Sequence, residues 1–472
     1  MSSDALVDST PKRHTAYLVL SAVGIGWYLV LWSLGLLGCR TARRRYRLRP
    51  RSPLASAPAA SVPGVSILRP LKGLDTNLYE NLESTFTQEY PNYEIILSVA
   101  DEHDQALPVV RDLLAKYPNR NARVIVGEEV VGVNPKVNNL IRPYRQAAND
   151  ILWVLDSNIM VAPGTLARSV DALIGPPSSS SISPPSRRIG LVHHVPFAFA
   201  TEPALGARLE EAFLNTNHAK MYLAINTVAV DSCVVGKSNL YRRSDVERVN
   251  GSLKPISPSL SADGDADPSE DRGLAAFGRF LAEDNMIASA LWHELDVRHD
   301  LSCDVARNAI GRMSLSDYVW RRVRWIRVRK HMVLAATLIE PFTESVVVGL
   351  LTSTSLHYLF HVPRWLFLGC HFATWLAVDL DVYASLAGHP VPDSSRWTFV
   401  GAWLMREVLA LPIWTLGMLG NEVDWRGRRY RVLQNGAVEH AQGSEGRFSW
   451  IPWFGKSNEA RGYHPLSAVD AQ

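Results

Sequence analysis

The sequence predicts an α/β domain with a mostly parallel sheet, tethered by an N-terminal transmembrane helix and followed by C-terminal membrane helices. Two observations carry this. Between Val65 and Ala100, and again from Arg123 to Asp156, short β-branched runs (VSILRP, EIILSVAD, RVIVG, ILWVLD) alternate with helical stretches, the pattern of strands joined by crossover helices. The uncharged stretch from Ala16 to Cys39 matches the ~20 apolar residues that cross a bilayer as a helix.

In chain order, residues 1–15 read as a short luminal N-terminus and 16–39 as an uncleaved anchor, because a signal peptide has a shorter apolar core with its charges in front. Arg40, Arg43, Arg44, Arg45, Arg47, Arg49 and Arg51 follow the anchor and place its C-terminal side in the cytosol by the positive-inside rule. With the Pro-, Ala- and Ser-rich stretch from Pro50 to Pro63 they make a linker over 40–63. The sheet domain spans 64–331, interrupted by inserts at 176–186 (PPSSSSISPPS) and 252–273, whose composition buries little apolar surface and reads as disordered surface loop.

Residues 332–422 hold interfacial and transmembrane segments, with candidate spans near 343–362, 364–383 and 397–420. The last carries Arg406, Glu407 and Pro412 near its middle, a costly composition in lipid that predicts a broken or re-entrant hairpin. That geometry keeps the basic WRGRRYR at 425–431 on the cytosolic side of a C-terminal tail, 423–472.

Bulk composition excludes two classes. With 47% hydrophobic and 20% charged residues and a net charge of +3, the chain is neither disordered throughout nor a charge-driven nucleic-acid binder. Its four cysteines, Cys39, Cys233, Cys303 and Cys370, are widely spaced and read as small buried hydrophobes rather than a disulfide or zinc framework.

The chemistry-bearing residues occur in the order a nucleotide-sugar transferase needs. Asp101, in SVADEHD, closes a strand where its carboxylate can accept hydrogen bonds from a base or ribose beyond the sheet. Asp156, in ILWVLDSN, also ends a strand, and a carboxylate there can share a hard cation with a diphosphate. The usual D-x-D is D-S-N here, so Asn158 offers only a neutral carbonyl, and a helix-capping role for Asp156 competes. Asp284, beside Glu283 in AEDN, suits the base that deprotonates an acceptor hydroxyl, although an acidic pair on a helix is also an ordinary solvated face. Arg321, Arg324 and Trp325 in RRVRW lie on one helical face, where the cations suit a departing diphosphate and the indole can stack on substrate or pack the helix. The same basic stretch also fits an interfacial helix on anionic lipid. Lys136, in GVNPKVNNL, can reach a diphosphate as a point charge.

Taken together these residues resemble the GT-A nucleotide-sugar transferases with their D, D, D and (Q/R)-x-x-R-W pattern. Within that group VPGVSILRPLKGLD, NLESTFTQEYPNYEI, GVNPKVNNL, GLVHHVPF, AEDN, RRVRW and WRGRRYRV are similar to landmarks of the ceramide glucosyltransferase family, over about residues 62–432. The resemblance implies a GT-A, Rossmann-like catalytic domain facing the cytosol on Golgi or ER membrane, UDP-glucose as donor, ceramide as lipid acceptor, an Mg²⁺ or Mn²⁺ ion, and β-glucosylceramide formed with inversion. It assigns Asp101 and Asp156 to donor and metal, Asp284 to the base, and Arg321, Arg324 and Trp325 to the closing motif. His193 matches a histidine placed near the family's active site; a strand-end histidine satisfied by backbone is the alternative. A processive polysaccharide synthase shares the pattern but needs a polymer channel lined by more spans than the four apolar segments here. A transport or scaffold protein leaves the ordered motifs unexplained. Oligomeric state and the choice of glucose over galactose are not encoded in any of these motifs.

Overall fold

The computed structural model describes residues 9–175, 187–255, 272–425, 428–433 and 436–440. Insert 176–186, most of insert 252–273 and the tail beyond 440 lie outside the described residues. Eight strands form one sheet: β1 (Val65–Pro70), β2 (Tyr93–Val99), β3 (Ala122–Val126), β4 (Ile151–Leu155), β5 (Ile159–Met160), β6 (Ile189–Ala200), β7 (Ser238–Arg242) and β8 (Arg298–Ile310), in the order β3-β2-β1-β4-β7-β6-β8-β5. The pairs β1/β2, β2/β3, β1/β4 and β6/β8 are parallel; β4/β7, β6/β7 and β5/β8 are antiparallel. The mostly parallel expectation holds, with a β3-β2-β1-β4 half whose carboxyl ends face one crevice.

The helices are α1 (Ser9–Tyr46), α2 (Leu78–Phe86), α3 (Ala106–Lys116), α4 (Pro135–Gln146), α5 (Thr165–Ile174), α6 (Leu205–Phe213), α7 (Ala219–Val228), α8 (Arg243–Val246), α9 (Glu283–Glu294), α10 (Leu315–Met332), α11 (Leu334–Ile339), α12 (Ser345–Phe360), α13 (Arg364–Ala387) and α14 (Arg396–Met418). Period-two alternation along the central strands feeds two cores. Ile67, Trp153 and Leu155 face α2, α3 and α5, whereas Leu68, Leu152 and Val154 face α4 and α9. Each such fully buried side chain stabilises the fold by about 1.5–3 kcal/mol.

Local signals set the helix starts that matter. Asn134 caps α4, its side chain accepting from Lys136 N and Val137 N, and Pro135 at the first position needs no donor. A capping box of Ser314 and Asp317 opens α10.

Three segments depart from the sequence reading. The anchor helix runs to Tyr46 rather than Cys39, since Arg43 and Arg47 pair with Asp381 at 2.6 and 2.9 Å and Arg45 with Asp300 at 2.8 Å. The Pro-rich linker makes two 3₁₀ turns, Pro53–Ser56 and Ala59–Ser61, and Leu54, Ala57 and Val62 pack on the core. The C-terminal 423–440 stretch belongs to a small antiparallel sheet of β9 (Glu422–Trp425), β10 (Arg428–Val432) and β11 (Val438–His440).

Among the described residues, three helices are long and apolar enough to cross a membrane: His14–Tyr46, Arg364–Ala387 and Arg396–Met418. The broken element is not 397–420 as expected. It is Leu334–Thr343 with Ser345–Phe360, bent by 64°. The charges of α14 are accommodated without a break: buried Arg406 pairs with Glu344 at 2.7 Å and with neighbouring Glu407, which also accepts from Ser345. Lys220 and Asp379, both fully buried, pair at 2.6 Å in the same bundle.

Candidate active site

The site is built at the carboxyl end of β4. After Leu155 the chain turns through Asp156, Ser157 and Asn158, held by Ile159 N donating to Asp156 O at 3.1 Å. Fully buried Arg69, from β1, donates to Ile159 O at 3.1 Å and to Ser157 O at 3.4 Å, and Ser157 Oγ donates to Asp75. Asp156 does not cap the following helix: the residue before α5 is Gly164, with no side-chain cap.

Around this turn the fold gathers charges distant in sequence. Lys136, in the first turn of α4, places Nζ 2.9 Å from Asp156 Oδ1, 2.8 Å from Glu283 Oε1 and 2.7 Å from Asp284 Oδ2. Glu283 and Asp284 begin α9, where helix N-termini favour carboxylates. Glu283 is buried and accepts from Asn134 Nδ2 at 2.7 Å; Asp284 accepts from Asn239 Nδ2 at 3.2 Å. Lys237, just before β7, places Nζ 3.3 Å from Asp156 Oδ2 and 3.2 Å from Asn158 Oδ1. A Cβ at Gly236 would lie 2.5 Å from Asp284 Oδ2, so a side chain there would have to displace the Asp284 carboxylate.

Electrostatics follow from the packing. Burial alone would raise Asp156, but Lys136 and Lys237 hold it below the ordinary carboxylate range. Burial opposes charge on Lys136, yet Asp156, Asp284 and Glu283 keep it well above its usual value. Burial, aided by Asp284 and opposed by Lys136, pushes Glu283 up to about 7.

Of the expected residues, the structure brings Lys136, Asp156 and Asp284 into one cluster. Arg321 stands close enough to lower the Lys237 pKa, after the larger effect of burial, while its own Nε pairs with buried Glu210 at 3.0 Å. Arg324 Nη1 donates to Asp424 O at 3.5 Å, and Trp325 packs the helix against Phe213 and Ile310. Asp101 is exposed in the loop after β2, accepting from His103 N at 2.8 Å. His193 is not a strand-end residue. It lies within β6, fully buried, hydrogen-bonded through Nδ1 to Tyr222 OH and held neutral by burial, and it pairs in register with Asn239.

Sequence reasoning missed Lys237, Asn239, Arg69 and Asn134. Only Asn134 had a local signal, as a capping residue before proline. The expected divalent cation meets an arrangement already filled: both Asp156 oxygens and the Asn158 carbonyl face ammonium groups. Among the described residues no group of three or more His, Cys, Asp or Glu has a metal-holding arrangement. As arranged, these residues do not fit a protein-held divalent ion.

This architecture has a counterpart among known sequences. The glycosyl transferase family 21 profile matches residues 27–264 and 270–438. The chain belongs to that family. Family 21 membership makes it a glycosyltransferase. Relatives named ceramide glucosyltransferase include proteins of Komagataella phaffii (38% identical, covering 88% of this chain and 90% of the relative), Candida albicans (34%; 80% and 88%) and Pyricularia oryzae (32%; 89% and 94%). Among solved structures, a mannosyltransferase from Pyrobaculum calidifontis in complex with GDP-Man and Mn²⁺ is 17% identical, with a TM-score of 0.43, covering 85% of this chain and 98% of that one.

Proposed function

We propose that this family 21 enzyme transfers glucose from UDP-glucose to the primary hydroxyl of ceramide with inversion, giving glucosylceramide and UDP, at a cytosol-facing site on Golgi or ER membrane. The observation that carries the reading is the Lys136-centred cluster, which joins a strand-end carboxylate to the acidic first turn of α9, in a chain whose described residues include three helices long and apolar enough to cross a membrane. The names of the relatives supply the sugar and the acceptor.

In this reading Asp101 receives the uridine at the end of β2 and the diphosphate lies over the β4 turn. Asp284 takes the proton of the ceramide hydroxyl as that oxygen bonds to the anomeric carbon, and the glycosidic electron pair leaves with UDP. Asp284 suits the role better than Glu283 because its side chain is 15% exposed against 5%, so an acceptor can reach it. Lys136, Lys237, Arg321 and Arg324 supply the positive field for the leaving diphosphate. His193, closed off from the surface, acts as a positioning residue through Tyr222. The apolar helices hold the crevice where a water-insoluble acceptor presents its hydroxyl.

The test is transfer by the full chain in detergent or membranes, with labelled UDP-glucose and UDP-galactose offered against ceramide. Label from UDP-glucose appearing in a monoglycosylated lipid is expected. Label in a growing polysaccharide, or none in lipid, overturns the reading.

A further inference from the structure

We propose that the Lys237 ammonium is a built-in cation, standing where a D-x-N turn would otherwise hold a divalent ion and facing the donor diphosphate. The inference rests on the reading that the diphosphate lies over the β4 turn.

Position is the first argument. Nζ of Lys237 lies 3.3 Å from Asp156 Oδ2 and 3.2 Å from Asn158 Oδ1, so one ammonium bridges the two oxygen donors that a hard cation takes from the first and third residues of such a turn. The turn itself is coupled to the lysine, because Asp156 N donates to Lys237 O at 3.0 Å.

Backbone geometry is the second. Lys237 has φ +102°, a region that is strained for a residue with a Cβ and that glycine adopts freely. The chain keeps a lysine there, directly after Gly236, so the strain is retained together with a charge.

Charge is the third. Lys136 divides its three donors among three carboxylates, whereas Lys237 meets one carboxylate and one neutral amide. An ammonium has three N–H groups, which leaves one for a phosphate oxygen. This also explains why the third residue of the turn can be asparagine: a monovalent ammonium beside Asp156 is neutralised without a second carboxylate, which a divalent ion would favour.

The experiment compares wild type, Lys237→Met and Lys237→Arg as full-length protein, measuring glucosyl transfer with and without chelator. Mn²⁺ immobilisation in the presence of UDP is followed by electron paramagnetic resonance. Wild type is expected to keep its transfer rate within about threefold under chelation and to leave Mn²⁺ free, because the cation is already present. Lys237→Met should lose at least about tenfold in chelator, regain activity with Mn²⁺ and immobilise the ion, since the oxygens are vacated. Lys237→Arg should remain insensitive to chelator. A wild type that loses transfer in chelator and immobilises Mn²⁺ with UDP overturns the proposal, and this result needs no variant to fold. Absence of glucose transfer to ceramide by wild type under every condition would instead remove the acceptor reading, with Mn²⁺ immobilisation still deciding the lysine.

Discussion

At the scale of single residues, the cluster gives neighbouring carboxylates different surroundings. Asp284, the proposed base, accepts from Lys136 on one oxygen and from Asn239 on the other, so Asp284→Asn removes the proposed proton acceptor at nearly unchanged volume while turning one amide NH2 toward a donor. UDP binding should stay within a few-fold while turnover drops by about 10²–10⁴, read by titration of UDP and by initial rates. Retained turnover would move the base elsewhere. Glu283 carries a pH signature instead. Its folded pKa is pushed from 4.5 up to about 7 by burial, so the folded chain keeps a proton that the unfolded chain has released. Stability from this group is therefore greatest at low pH and is lost as pH rises across that interval. Glu283→Gln should flatten the fall in melting temperature between those pH values, measured in detergent; an unchanged slope would assign the titration to another group.

At the scale of elements, the C-terminal bundle shows how a helix with charges at its centre stays unbroken. Arg406 of α14 is buried and satisfied by Glu344, at the bend between the two halves of the 334–360 element, and by Glu407. Replacing it with an apolar residue leaves two buried carboxylates uncompensated, which costs about 3–5 kcal/mol. Arg406→Met should accordingly lower the melting temperature sharply, and Arg406→Met with Glu344→Gln and Glu407→Gln should recover part of the loss. If the single variant melts like wild type, the bend is held by apolar packing alone.

At the scale of the whole molecule, the small three-stranded sheet packs behind the starts of α4 and α9. Val423, Tyr430, Val432 and Val438 of the small sheet bury Val328 of α10 and pack against Val133, Leu281 and Ala282. Those last residues immediately precede the capping Asn134 and the Glu283–Asp284 pair, so the strap sets the relative position of the α4 and α9 termini. Truncation after Asn421 should therefore reduce turnover by about tenfold or more, since small displacements of reacting groups are expensive. Tyr430→Ser should give a smaller loss in the same direction. Initial-rate assays at saturating UDP-glucose check both, and full turnover after truncation would make the strap a separate appendage.

What the sequence determined by itself is what neighbouring residues encode. Short β-branched runs specified β1, β2, β3 and β4, long apolar stretches specified helices long and apolar enough to cross a membrane, and the position of Asp156 directly after its strand followed from where that run stops. The ordered acidic and Arg-Trp motifs carried the family. Tertiary structure alone decided the rest, because those interactions join residues far apart in the chain. Lys237 meets Asp156 only because β7 pairs antiparallel with β4, and Asn239 reaches Asp284 by the same strand. Lys136 meets Glu283 and Asp284 across 147 and 148 positions, through the packing of α4 and α9 on one face of the sheet. Likewise Arg406 reads as a helix breaker until Glu344 is folded beside it. Local periodicity fixes which elements form; the sheet order, which no short window contains, fixes which charges must neutralise one another.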